Sequence, residues 1–148
     1  MRDCHTPLAL SWSTIRSIVH WAQQHQGKIL AALLATPADL ETPLPAGYPT
    51  VEALQSNGWL PLPRTPLPFP SIVAASNNDP LASLQWVEQM ASHWGSSLVN
   101  VGAVGHLNPA SGFGEWPLGV ELIQRLEADI ATTAQRGRSK ITPTDNVH

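Results

Sequence analysis

The sequence predicts an α/β fold in which a parallel β-sheet lies between helices on both of its faces, in three layers. Two short apolar runs rich in β-branched residues, at 71–75 and 98–101, have the length and composition of buried strands. Stretches whose apolar residues recur every three or four positions precede and follow these runs, as in amphipathic helices. Because such strands and helices alternate along the chain, we expect the strands to run parallel.

The first third of the chain predicts a strand, a helix and a second strand. Residues 8–10 are apolar and could be the last part of a buried strand. Residues 14–26 place apolar side chains at helical spacing, and Gly27 follows as a C-cap. Residues 29–35 form a continuous apolar run of strand length, although alanine and leucine dominate it and a helix remains open there.

Residues 37–70 are rich in proline and predict an irregular excursion. This segment holds nine of the fourteen prolines, which remove backbone donors and disfavour helices, so we expect only one short helix, around 50–56. The excursion could pack over the sheet through Tyr48, Trp59 and Phe69. It could equally be a lid or pocket wall, because long ordered loops in compact domains are often functional.

The second half of the chain predicts two further helices. Pro80 is expected to open a helix that runs to Trp94, at the position where proline is tolerated, and Gly95 ends it. A last helix is predicted over 117–134, with an apolar stripe facing the sheet. No internal repeat is visible.

Length and composition favour one domain. The 148 residues, 43% of them hydrophobic, predict a single domain over 1–135 and a polar tail over 136–148. Eight basic and eleven acidic residues give a net charge of −3, which predicts no nucleic-acid or membrane-surface partner. Cys4 is the only cysteine, and no stretch approaches the roughly 18 apolar residues of a membrane span, so we expect a cytoplasmic protein.

Asp79 and His106 each lie in a polar loop that begins where a predicted strand ends. An acid and a base are commonly placed in this way, at the carboxyl ends of parallel strands. Each residue also has a simpler interpretation. Asp79 precedes Pro80 and could be a helix N-cap, and His106 could be a turn residue among glycines.

Two blocks of sequence carry a resemblance to a known family. They read PSIVAASNNDP at residues 70–80 and GHLNPASGFGEWP at residues 105–117. With residues 20–22 and 35–39, they make the chain resemble the small α/β-hydrolase-fold serine hydrolases typified by YdeN and retinoblastoma-binding protein nine. The resemblance spans about residues 10 to 130 and implies a catalytic triad. In this triad Asp79 orients His106, and His106 takes a proton from a serine.

The predicted nucleophile is Ser11, where the chain departs from the family pattern. Ser11 lies between the predicted strand at 8–10 and the helix at 14–26, but the His before it and the Gly two residues after it, typical of a nucleophile elbow, are absent. Ungapped alignment places Trp12 at the serine position, and a one-residue shift reaches Ser11 or Ser13. Ser11 as a plain N-cap is an equal alternative.

The resemblance also implies sheet strands and an oxyanion loop upstream of Ser11, where the chain has only ten residues. We therefore expect an N-terminally truncated or altered hydrolase domain that lacks the N-terminal strands. The loss of one oxyanion donor would lower turnover by about 100- to 1000-fold. A late start or a shifted reading frame would account for both departures.

Three functional hypotheses follow. The first is a serine hydrolase that cleaves a small-molecule ester or amide through Ser11, His106 and Asp79, without metal or organic cofactor. The second is a non-catalytic module that binds a ligand or a protein through a pocket with Trp59 and Trp116. The third is a fragment that exposes apolar sheet edges and therefore self-associates.

The loop around His106 contains further polar and aromatic residues, and we interpret these as loop scaffolding and pocket wall: Asn108, Ser111, Gly112 and Trp116. The remaining histidines lack metal-ligand spacing.

Overall fold

A three-stranded parallel sheet forms the centre of the fold. The computed structural model describes Val19, Ala22 and residues 29–139. In this part of the chain the strands are β1 (Ala32–Ala35), β2 (Ser71–Ala75) and β3 (Ser97–Asn100), in the order β1-β2-β3. The helices are α1 (Val51–Ser56), α2 (Leu84–Trp94) and α3 (Pro117–Ser139), with a 3-10 turn at Pro109–Ser111. The predicted parallel α/β class is confirmed.

Alternate strand residues point to opposite faces of the sheet, and each face has its own apolar cluster. The first cluster contains Leu34 and Val73 and is covered by α2 and by Val19, which is helical and fully buried. The second cluster contains Leu33 and Ile72 and is covered by α3. Helices on both faces confirm the predicted three layers.

The proline-rich excursion is part of the hydrophobic core. Leu54 and Leu62 are each 5% exposed and belong to the first cluster. The predicted packing residues of the excursion lie against the same cluster and are Tyr48, Trp59 and Phe69. Two hydrogen bonds tie the excursion to the end of α2, from Trp94 Nε1 to the Pro63 carbonyl at 2.9 Å and from the Leu67 N–H to the Trp94 carbonyl at 2.9 Å. The excursion therefore packs over the sheet, and its role as a lid stays a prediction.

Several element boundaries differ from those predicted. α2 begins at Leu84 and not at Pro80, because the Ser83 hydroxyl caps the helix by accepting a hydrogen bond from the Trp86 N–H at 3.2 Å. β1 begins at Ala32, since Leu30 is 60% exposed and lies outside the core. β3 begins and ends one residue earlier than predicted.

The last helix is longer than predicted. α3 continues to Ser139, across the predicted domain boundary at 135 and into the predicted tail. Residues 131–137 are all exposed, so this part of the helix does not pack on the core, and Gln135 and Arg136 are residues that favour a helix. The strand predicted at 8–10 lies outside the described residues, as does the helix predicted at 14–26 apart from Val19 and Ala22.

One edge of the sheet is open to solvent in the described part of the chain. There β3 pairs only with β2, and Ser97, Leu98 and Asn100 are exposed. Self-association through such an edge stays a prediction. Within the same residues, no helix is both long and apolar enough to cross a bilayer.

We predict that Trp94→Phe lowers the free energy of unfolding by about 1–3 kcal/mol, because the Pro63 carbonyl loses its donor. The matched control is Trp86→Phe. Trp86 Nε1 is buried without a hydrogen-bond partner among the described residues, so its removal leaves no acceptor unpaired and costs less. Urea unfolding followed by circular dichroism measures both. Equal losses would contradict the role assigned to the Trp94 hydrogen bond.

Candidate active site

Asp79 and His106 meet at the carboxyl end of the sheet. β2 and β3 are adjacent and parallel, so the loops that follow them leave the sheet at the same edge. His106 Nδ1 lies 3.0 Å from Asp79 Oδ2 and 3.2 Å from Asp79 Oδ1. The two side chains are 9% and 2% exposed, respectively. The structure therefore brings together two of the three predicted site residues as a buried acid–imidazole pair.

The contact with Asp79 determines which imidazole nitrogen of His106 carries a proton. An ionised carboxylate can only accept hydrogen bonds, so His106 Nδ1 must donate to it. In the neutral ring Nε2 then holds a lone pair and can accept a proton. Asp79 Oδ1 also accepts a hydrogen bond from the Leu81 N–H at 2.9 Å, which orients the carboxylate.

The structure also tests the N-cap interpretation of Asp79. Ser83, and not Asp79, caps α2. The hydrogen bond from the Leu81 N–H makes Asp79 the first residue of a short side-chain–backbone turn before the helix. Asp79 therefore engages a local N–H and His106 at once, but it does not begin α2.

The backbone of His106 is held at both of its polar groups. Its N–H donates to Ser111 Oγ at 3.1 Å, and its carbonyl accepts from Thr36 Oγ1 at 3.1 Å. Ser111 Oγ in turn donates to Asn108 Oδ1 at 2.8 Å, and Asn108 caps the 3-10 turn. Asn108 and Ser111 thus form the loop scaffold that the sequence predicted.

Ser76 and Asn78 join the loop after β2 to the loop after β3. Asn78 Oδ1 accepts from the Gly105 N–H at 2.7 Å and from Ser76 Oγ at 3.0 Å. Ser76 Oγ also accepts from the Val104 N–H at 3.3 Å. These residues are not among those that the sequence singled out. The sequence feature that points to them is a cluster of short polar side chains directly after a predicted buried strand, where such residues often form hydrogen bonds with the backbone.

The loop after β1 reaches the same edge of the sheet. The Asp39 N–H donates to the Leu81 carbonyl at 2.9 Å, next to the turn that contains Asp79. The buried Asp39 carboxylate accepts from the Glu41 N–H at 2.9 Å and from Thr42 Oγ1 at 3.1 Å. Both of these hydrogen bonds lie within its own loop, and the carboxylate does not contact His106.

An open groove of about 390 Å³ lies within the excursion and is lined by Glu41, Val51, Gln55, Leu60 and Pro61. Glu41 is paired there with Arg64, whose guanidinium donates to both carboxylate oxygens. These hydrogen bonds raise the pKa of Arg64 above its usual value. The ion pair links the beginning of the excursion to its later part.

The remaining predicted groups are Ser11, Trp59 and Trp116. Ser11 lies outside the described residues. Trp59 packs against the first cluster and Trp116 against the second, so the two tryptophans lie on opposite faces of the sheet and do not form one pocket. Within the described part of the chain, no group of three or more His, Cys, Asp or Glu side chains is arranged to hold a metal ion.

A parallel three-layer sheet with an acid and a histidine after adjacent strands has the architecture of an α/β hydrolase. Comparison with known proteins agrees. A family model described as serine hydrolase matches residues 4–125, and the chain therefore belongs to the serine hydrolase family. The resemblance predicted from the sequence is confirmed.

A solved structure is also similar to this chain. It is the crystal structure of a YdeN-like hydrolase from Pectobacterium atrosepticum SCRI1043, with 30% sequence identity and a TM-score of 0.62. The match covers 78% of this chain and 55% of that hydrolase, so this chain spans about half the length of its relative. No curated protein matches.

We predict that Gly105→Ala destabilises the protein by more than a left-handed backbone alone requires. Gly105 has φ +59°, and a Cβ there would lie 2.6 Å from Ser111 Oγ, the atom that holds the His106 N–H. The conformational cost is about 1–2 kcal/mol, and displacement of Ser111 adds to it. The control is Gly58→Ala, at φ +69° with no atom within 4 Å of the added Cβ. Urea unfolding compares the two, and equal losses would argue against the tight packing of Gly105 on Ser111.

Proposed function

We propose that the protein hydrolyses an ester or an amide of a small molecule by acyl transfer, with His106 as general base and Asp79 as the residue that orients it. The supporting observation is the buried hydrogen-bonded pair of Asp79 and His106, at 3.0 Å, in a chain of the serine hydrolase family. The placement of both side chains after adjacent parallel strands is typical of this chemistry.

In the proposed reaction Ser11 is the nucleophile. As Ser11 Oγ attacks the substrate carbonyl carbon, its proton passes to His106 Nε2. His106 then gives that proton to the departing alcohol or amine, which leaves an acyl-enzyme. Water attacks the acyl group, its proton passes to His106, and cleavage of the acyl–oxygen bond returns the proton to Ser11. The reaction requires neither a metal nor an organic cofactor.

Asp79 would act on His106 in two ways. Its carboxylate accepts a hydrogen bond from the Nδ1–H of His106, which leaves the lone pair on Nε2 for the serine proton. When His106 becomes an imidazolium, the adjacent negative charge stabilises it, and burial of both side chains reduces screening by water. Asp79 itself stays ionised throughout.

The assignment of Ser11 rests on its position between a predicted strand and a predicted helix. A one-residue shift of the ungapped alignment reaches either Ser11 or Ser13, so the experiment must distinguish these two serines. Because the glycine pattern of a nucleophile elbow is absent around Ser11, we expect slow turnover.

We predict that a fluorophosphonate probe labels the purified chain at Ser11, because the probe reacts only with a serine activated by a base. Peptide mapping identifies the labelled residue. Ser11→Ala and His106→Ala should both abolish labelling. Ser13→Ala and His93→Ala should retain it, since His93 is an exposed residue on α2. Labelling at Ser13 would instead identify Ser13 as the nucleophile. If the folded protein takes no label, the hydrolase hypothesis fails, and the binding-module or the fragment hypothesis replaces it.

We predict that Asp79→Asn slows labelling by as much as about 10⁴-fold, because the amide favours the wrong tautomer of the imidazole. The matched control is Asp39→Asn, in which a buried carboxylate of the neighbouring loop is changed without contact to His106. Asp39→Asn should affect stability more than labelling. Equal effects of the two variants on the labelling rate would refute the orienting role of Asp79.

A further inference from the structure

We propose that Thr36 is a positioning residue for His106: its hydroxyl fixes the carbonyl of the histidine and thereby the direction of the imidazole ring. The proposal rests on the proposed function for its effect on turnover. Its structural part, the dependence of the Asp79–His106 hydrogen bond on Thr36, can be tested without any activity.

Thr36 joins the sheet to the loop of His106 directly. Its N–H continues the ladder between β1 and β2 by donating to the Ala74 carbonyl at 2.9 Å. Its Oγ1 donates to the His106 carbonyl at 3.1 Å, across 70 residues of sequence. Thr36 is 3% exposed, so water does not readily replace this donor. One residue therefore anchors the carbonyl of His106 to the end of β1, where β1 pairs with β2.

The backbone of Thr36 favours a role for its side chain. Its φ is +41°, in the left-handed region where a β-branched residue is strained and glycine or asparagine is preferred. A threonine there carries a conformational cost that a glycine would avoid. Strained backbone that the surrounding structure maintains is concentrated at functional sites. The contact that this residue type adds is the hydrogen bond to His106.

The other contacts of the His106 loop leave a gap that Thr36 fills. On the amino-terminal side, Val104 and Gly105 are bound to the loop after β2. The His106 N–H is bound to Ser111, which belongs to the same loop as His106. Thr36 holds the carbonyl side of His106 from a different strand. The N–H of the same peptide, that of Leu107, makes only a long hydrogen bond of 3.4 Å to the Val104 carbonyl. Without the Thr36 hydroxyl that bond alone holds the peptide after His106, so we expect the peptide to rotate and the ring to move relative to Asp79.

Leu107 follows His106 and also has a positive φ, of +49°. Leu107, like Thr36, therefore depends on contacts outside its own backbone preference. Loss of the Thr36 donor would release the turn at the point where it is strained. A displacement of about 1 Å in a catalytic group can cost about 100-fold in rate, so we expect a 10- to 100-fold effect on chemistry.

The experiment compares Thr36→Val, Thr36→Ser and Thr36→Gly. Valine keeps the shape and removes the hydroxyl, serine keeps the hydroxyl, and glycine removes both the hydroxyl and the backbone strain. The control is Ser71→Ala, which removes another buried hydroxyl, paired with Ser96 Oγ at 2.6 Å, from the opposite end of the sheet. Fluorophosphonate labelling gives the maximal rate and the half-saturating probe concentration. Proton NMR detects the downfield Nδ1 proton that an imidazole shares with a carboxylate.

Thr36→Val should weaken or abolish the downfield proton signal and lower the maximal labelling rate 10- to 100-fold, with little change in the half-saturating concentration. Thr36→Ser should restore both. Thr36→Gly should lower the maximal labelling rate as Thr36→Val does. Its unfolding midpoint should differ from that of Thr36→Val, because glycine removes the backbone strain. Ser71→Ala should change stability alone. This pattern separates positioning from a general loss of stability.

Unchanged signal and rate in Thr36→Val, or failure of Thr36→Ser to restore them, would overturn the proposal. If the wild-type chain takes no label, the proposed function fails while the NMR comparison still decides the role of Thr36. If Thr36→Val does not fold, the serine and glycine variants carry the same comparison of hydroxyl present against hydroxyl absent.

Discussion

The parallel pairing of β2 with both of its neighbours is the constraint on which the rest of the site depends. It makes three loops leave the sheet at one edge, after Ala35, Ala75 and Asn100. Because neighbouring strands lie only about 4.8 Å apart, each loop begins close to the next, and side chains far apart in sequence come within hydrogen-bonding distance. The Asp79–His106 pair and the Thr36–His106 contact are both products of this register.

Polar groups at this edge are satisfied mainly by one another. Asn78 and Ser76 bind backbone amides of the next loop, and Asp79 binds both a local amide and the imidazole. Asn78 is exposed, but Ser76 and the Asp79 side chain are each 2% exposed, so there each such bond avoids the cost of an unpaired polar atom. An arrangement of this kind can keep a histidine in one orientation before a substrate binds, which is what general-base catalysis requires.

The proline-rich excursion shows how an irregular segment can still belong to the core. Proline removes ladder donors, and only α1 forms within residues 37–70. The excursion nevertheless buries Leu54 and Leu62 and is fastened to α2 through Trp94. Its stability therefore comes from side-chain burial and a few backbone contacts.

The α/β class, the strand at 71–75 and the candidate roles of Asp79 and His106 followed from apolar runs, helical spacing and family motifs, because these are local patterns. The start of α2 did not follow from them, since Ser83 caps the helix and Pro80 does not begin it. Ser76 and Asn78 lie in a polar cluster that the sequence shows, but their partners, and that of Thr36, could not be found from the sequence, because each binds a residue of another loop. The sequence by itself determined which elements form and which side chains can move a proton. The tertiary structure decided which loops meet, because strand register sets distances across 27 and 70 residues that no local pattern encodes.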